Sequence, residues 1–149
     1  MLQPGAPVPD IGADDDTGKP VRLAEFAKKA VVVYFYPRAD TPGCTNETIQ
    51  FRDLHAAFAK KGVAVVGVSR DTVTSQAKFK AKYEVPFALL ADVGSEICDA
   101  FGVIVEKNMY GKKSLGIQRS TFLIKAGAVV KVWPKVKVEG HAAEVLSSL

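Results

Sequence analysis

Apolar residues run unbroken from Ala30 to Tyr36 (AVVVYFY) and recur in VAVVGVS, residues 63 to 69. Both runs are β-branched and too short for a full helix. They predict central strands buried on both faces and parallel to each other. Between them the period changes. From Cys44 on into TNETIQFRDLHAAFAKKG, the residues Cys44, Glu47, Phe51, Leu54 and Phe58 follow spacings of three and four, which puts them on one helical face. Gly62 ends that helix. A strand, a helix and a second strand make one unit with a right-handed crossover.

Downstream, DTVTSQAKFKAKYEV predicts a helix opened by Asp71 or Thr72 and stopped at Pro86. FALLAD predicts a short strand, and SEICDAF a short helix closed by Gly102. VIVEKNMYGKKSLG is read as a basic loop, a candidate docking surface for a reductant or simply a solvated connection. IQRSTFLI and AVVKVW flank KAGA as an antiparallel hairpin, and HAAEVLSSL places Ala142, Val145, Leu146 and Leu149 on one helical face. This order predicts an α/β protein of thioredoxin-like architecture. A central mixed β-sheet is flanked by helices, with an N-terminal extension and an addition before the hairpin. No repeat, low-complexity stretch or linker interrupts it, so residues 1–149 are expected to form a single domain.

Composition narrows the function classes. Apolar residues make up 48% of the chain, enough for one core without staples. The Ala30–Tyr36 run is far too short to span a bilayer, so no membrane association is expected. MLQPGAPVPD has neither a basic nor an apolar leader segment, and a cytoplasmic address follows as the default. A net charge of +4 invites a nucleic-acid reading, but the lysines are scattered in pairs and no zinc-finger spacing exists. DDDTGKP, residues 14 to 20, lacks calcium-loop spacing and reads as a solvated turn. With two cysteines and two histidines, none at close ligand spacing, neither a disulfide framework nor a metal site is expected.

The chemistry centres on YFYPRADTPGCTNE. Pro37 ends a central strand, and Pro42 and Gly43 lead into the next helix, so Cys44 lies near that helix's N-terminus. Free backbone N–H groups and the positive end of the helix dipole favour a thiolate there. The commonest role for a free cysteine, a small buried hydrophobe, is the competing reading. Glu47 shares the inward face and, once buried, needs a cation. Arg38 and Arg119 are the candidates. Alternation places Ile117, Arg119, Thr121 and Leu123 on one face of a strand, where Arg119 is either functional or simply an exposed edge residue. His55 falls about 16 Å along the helix from Cys44 and cannot act as its base, which speaks against a papain-like hydrolase. His141 opens the last helix and is expected at the surface.

Taken together these residues resemble the peroxiredoxins. The P-x-x-x-[T/S]-x-x-C motif is present as Pro37, Thr41 and Cys44. YFYPRADTPGCTNE, GVSRD, EKNMYGKKSLGIQRSTFL and KVKVEGHAAEVL are similar to the bacterioferritin comigratory protein subgroup, also called peroxiredoxin Q, over almost the whole chain. The resemblance implies a thiol peroxidase that reduces hydrogen peroxide and organic hydroperoxides without a cofactor. It implies that Cys44 is the peroxidatic cysteine and forms a sulfenic acid. Thr41 would hydrogen-bond the thiolate and the peroxide, Pro37 would shield the site from water, and Arg119 would stabilise the thiolate and the charge developing on the peroxide oxygens. Glu47 would hold the arginine in place.

One departure bears on turnover. The positions where many subgroup members carry a resolving cysteine hold Ile49 and Lys80 here, and only Cys98 remains. Cys98 sits beside the Ile97–Phe101 pair and is expected to pack inward as a structural cysteine. The expectation is therefore a one-cysteine cycle in a monomer, recycled by an external thiol reductant such as thioredoxin or glutaredoxin. Two alternatives stand beside it: a two-cysteine cycle through Cys98 after local unfolding, and a peroxide-sensing switch with little turnover. A dithiol oxidoreductase is disfavoured because no Cys-x-x-Cys exists.

Overall fold

The computed structural model describes residues 1–149, apart from the side chain of Met109. Along the chain it has strands β1 (Gly12–Asp15), β2 (Pro20–Arg22) and β3 (Ala30–Phe35), helix α1 (Pro42–Lys60), β4 (Val63–Ser69), α2 (Val73–Tyr83), β5 (Leu89–Ala91) and α3 (Glu96–Phe101). Then come β6 (Ile104–Met109), β7 (Lys112–Ile117), β8 (Ser120–Lys125), β9 (Ala128–Trp133) and α4 (His141–Ser147). The main sheet has seven strands in the order β2-β1-β5-β4-β3-β8-β9. β3, β4 and β5 are parallel, and β1, β8 and β9 join antiparallel to their neighbours. This is the thioredoxin-like mixed sheet that the order of elements predicts.

The apolar runs explain the two-sided core. Residues 31–36 are all buried, and their side chains alternate across the sheet. Val32, Tyr34 and Tyr36 enter one cluster, with Phe51 and Phe58 of α1, Phe79 of α2, and Ala142 and Val145 of α4. Val31, Val33 and Phe35 enter the other, with Ile97, Cys98 and Phe101 of α3 and Ile117 at the end of β7. Tyr34 stacks on Phe51 with ring centroids 4.6 Å apart, and its hydroxyl lies 2.9 Å from the Thr48 hydroxyl. Such a stack adds about 0.5–1.5 kcal/mol beyond burial. It also sets the depth at which α1 rests on the sheet.

Three stretches depart from the sequence expectations. Residues 104–117 form a two-stranded antiparallel hairpin rather than a loop. Its turn residues Tyr110 and Gly111 both have positive φ, 52° and 77°, as a tight hairpin with matching twist requires. The strand expected to run through 117–124 is broken instead: β7 ends at Ile117 and β8 starts at Ser120. Ile117 consequently packs in the α3-side cluster, opposite to Leu123. At the N-terminus the Asp-rich turn is present, with Asp15 accepting from Thr17 and Lys19, but it joins two short strands.

Gly67 is fixed by close approach. A Cβ there would lie 2.8 Å from the Tyr34 hydroxyl oxygen and 2.9 Å from Leu89 Cδ2. We expect Gly67→Ala to lower stability by about 1–3 kcal/mol through overpacking. Denaturant unfolding measures this, and an unchanged midpoint would show that the Tyr34 layer yields freely.

Candidate active site

Strand polarity assembles the site. β3, β4 and β5 are parallel, so the segments that follow them emerge at one edge of the sheet. β8 runs the other way, with Ser120 opposite Phe35, so Arg119 reaches the same edge. The chain leaves β3 through Tyr36 and Pro37 and enters α1 with Thr41 as N-cap and Pro42 in the first turn. Asp71 holds this approach by accepting from the Ala39 N–H at 2.7 Å and the Ser69 hydroxyl at 2.6 Å. On the next side, Asp40 accepts from Lys82 Nζ and from the Tyr83 hydroxyl.

Cys44, Glu47 and Arg119 meet behind this turn. Arg119 Nη2 lies 3.4 Å from Cys44 Sγ, and Nη1 donates to Glu47 Oε1 at 2.8 Å. Cys44 is 1% exposed and Glu47 0%. Gly43 lets the guanidinium lie against the helix start, since a Cβ there would stand 3.1 Å from Nη2. The Thr41 hydroxyl donates to the Arg38 carbonyl at 2.8 Å and makes no capping bond. Proline has no N–H, and the first internal helical bond is Thr45 N–H to Thr41 carbonyl. The N–H groups of Gly43 and Cys44 are therefore left facing the sulfur's end of the helix, where negative charge is favoured.

Burial and charge oppose each other around Arg119. Burial raises the Glu47 carboxyl to about 7 against the pull of Arg119, and Glu47 Oε2 has no hydrogen-bond partner among the described residues. Burial also works against the Arg119 charge, but Glu47 and Cys44 outweigh it and leave its pKa raised. A guanidinium so held can stabilise a thiolate, or an oxygen that gains charge in front of it.

The structure brings together Cys44, Glu47 and Arg119 and places Pro37 and Thr41, both half-buried, in the turn before them. Arg38, the rival partner for Glu47, is exposed. His55 packs on the Phe87 ring, away from the sulfur. His141 is a correction: it is 2% exposed, not at the surface. Its Nε2 lies 2.7 Å from Thr121 Oγ1, and its ring packs edge-on against Phe51 and Trp133. The helix start announced solvent, and tertiary packing overrode it. Cys98 belongs to the core cluster on the other side of the sheet from Cys44. Its thiol pKa is pushed well up, by burial first and then by Asp92. Sequence reasoning passed over Lys107, which the hairpin brings to this edge; the Tyr110-Gly111 turn was the available signal. Among the described residues no group of three His, Cys, Asp or Glu could hold a metal ion, and no helix is long and apolar enough to cross a membrane.

Residues 4–132 match the family model described as the AhpC/TSA family. The chain is 44% identical to Peroxiredoxin Bcp of Bacillus subtilis over 149 residues, 99% of this chain and 95% of the relative. Among solved structures it resembles Xanthomonas campestris Peroxiredoxin Q, with a TM-score of 0.89 and 47% identity over 93% of this chain and 88% of that one. A crystal structure of a cysteine-to-serine mutant of Xylella fastidiosa PrxQ superposes with a TM-score of 0.95 at 37% identity, covering 99% and 95% of the two chains.

Glu47 and His141 pull the pH dependence of stability in opposite directions. The raised Glu47 pKa means that between 4.5 and about 7 the folded protein keeps a proton that the unfolded chain gives up, so stability falls as pH rises. Burial lowers His141 to about 4, so between that value and 6.5 the unfolded chain binds more protons and stability rises with pH. Glu47→Gln should leave only the rising limb, and His141→Gln only the falling one. Denaturant midpoints measured across this range check both signs. Curves parallel to the unsubstituted protein's would contradict them.

Proposed function

For a chain that belongs to the AhpC/TSA family, in its Bcp and peroxiredoxin Q group, and is a thiol peroxidase, we propose that Cys44 is the peroxidatic cysteine. The single observation that carries this assignment is the guanidinium of Arg119 bridging Cys44 Sγ and buried Glu47 at the first turn of α1. The substrate is a peroxide and the reductant a thiol. The Cys44 thiolate attacks the terminal oxygen of hydrogen peroxide or an organic hydroperoxide. The O–O bond breaks, the leaving oxygen departs with the electron pair and takes a proton from water, and the sulfur becomes a sulfenic acid. Charge develops on the leaving oxygen, where Arg119 and the first-turn N–H groups help most. Thr41 has committed its own proton to the Arg38 carbonyl, which leaves its oxygen to accept the peroxide O–H. Pro37 lines the turn and limits water access. Glu47 orients the arginine.

The cycle uses one cysteine. A disulfide needs Cα atoms within about 7 Å, and burial of Cys44 and Cys98 on opposite faces of the sheet speaks against that. The raised thiol pKa of Cys98 makes it a poor attacking group. An external thiol, thioredoxin or glutaredoxin, therefore reduces the sulfenic acid. One chain supplies every group of the site, which supports a monomer as the working unit, and a thiol-reducing compartment such as the cytoplasm suits the cycle.

Cys44→Ser should abolish peroxide consumption while the protein still folds. Arg119→Met keeps an apolar stem and removes a charge-assisted hydrogen bond worth about 1.5–3 kcal/mol. Stopped-flow oxidation of Cys44 should then slow by roughly ten- to a hundredfold. Cys98→Ser should keep turnover with a small thiol. An active Cys44→Ser variant would remove the assignment, and lost turnover in Cys98→Ser would remove the one-cysteine cycle.

A further inference from the structure

We propose that Lys107, laid across Gly116 at the rim of the Cys44 site, is a specificity-determining residue that favours hydroperoxides carrying a carboxylate close to the peroxide. The inference rests on the peroxidase reading and adds a substrate class to it.

The hairpin geometry places the ammonium. Lys107 of β6 pairs with Ser114 of β7, but its stem runs diagonally across Gly116. A Cβ at Gly116 would stand 3.1, 3.3 and 3.6 Å from Lys107 Cδ, Cε and Nζ. Glycine is what leaves this path open. The diagonal points along β7 toward Ile117, the strand end that continues through Gln118 to Arg119. Arg70, which follows β4 at the same sheet edge, donates from Nη2 to the Leu115 carbonyl at 3.3 Å and so closes the hairpin against the site.

The charges at this rim are unbalanced. Alternation along β6 sends Glu106 to the opposite face from Lys107, where it pairs with Lys113 at 3.5 Å. Among the described residues neither Lys107 nor Arg70 forms a salt bridge. Glu47, the buried carboxylate, is taken by Arg119. The charges felt by Lys107 are those of Arg119, Cys44 and Arg70. Partial burial first, and then Arg119, lower its pKa, with Cys44 pulling the other way. Lys107, with no carboxylate of its own, thus stands near Arg119 and the thiol, and Arg70 adds to the positive charge around it. An incoming anion relieves the cations' mutual repulsion, and attraction over a few ångströms at a protein surface is strong enough to change a rate. The carboxylate is a spectator in the chemistry: sulfur still takes the terminal oxygen, and the alkoxide still leaves.

The test compares para-carboxy cumene hydroperoxide with its methyl ester, following Cys44 oxidation by stopped flow at neutral pH. The carboxylate should react about three- to tenfold faster, as expected for one added charge pair in partly screened surroundings. The preference should shrink toward unity in 1 M salt, where the Debye length is about 3 Å. Lys107→Met should lose the preference, and Lys107→Arg should keep it. Equal rates for the two probes in the unsubstituted protein, or a preference unaltered in Lys107→Met, would overturn the inference and leave the peroxidase reading standing. Failure of both probes to oxidise Cys44 would overturn the peroxidase reading as well.

Discussion

One guanidinium shared between a sulfur and a buried carboxylate governs this site. Arg119 holds Glu47 at 2.8 Å with one nitrogen and faces Cys44 at 3.4 Å with another. A planar fork can serve two partners at once, which a lysine ammonium on a flexible stem does less well. Removing one member of a buried pair costs about 3–5 kcal/mol because the other is left uncompensated. The surrounding fold works to keep the three groups in register. Pairing of Ser120 with Phe35 brings Arg119 to the edge where α1 begins. The Tyr34–Phe51 stack sets the height of α1, Gly43 clears the path of the guanidinium, and Asp71 and Asp40 hold the turn that precedes the cysteine.

The sheet itself divides the chain's sulfur chemistry. Both cysteines are buried, but one lies at a helix start beside a cation and the other beneath a carboxylate in the opposite layer. The two sulfurs therefore differ in their charged neighbours, Arg119 for Cys44 and Asp92 for Cys98. Asp92 binds the Cys98 and Ile97 N–H groups to cap α3, and in doing so it places negative charge next to the thiol. A cysteine in that setting behaves as a small core residue.

Much of this was legible in the sequence because it follows from periodicity. The parallel strands β3 and β4 announced themselves as apolar runs, and the spacing of Cys44, Glu47, Phe51 and Phe58 gave the inward face of α1, all four of which are buried. The need of a buried glutamate for a cation narrowed the partner to two arginines, the family resemblance pointed to Arg119, and the strand order in three dimensions sets it apart from the exposed Arg38. What stayed hidden lacked local signals. Half of the residues of β6 and β7 are polar, and Tyr110 rather than Asn or Asp stands in the left-handed turn position. The break between β7 and β8 reverses the face of Ile117 without any proline or glycine at the break to mark it. His141 is buried by Phe51 and Trp133, neighbours that are distant along the chain. Only the pairing of Lys107 with Ser114 across the hairpin places its side chain.

The central claim is that oxidation begins and ends at Cys44 until a second molecule intervenes. It is tested most directly by treating the reduced protein with one equivalent of peroxide, trapping with dimedone, and reading the intact mass and the peptide map. The account predicts a single dimedone adduct on the Cys44 peptide, with Cys98 still open to alkylation. A loss of two hydrogens, with the Cys44 and Cys98 peptides joined by a disulfide, would contradict it.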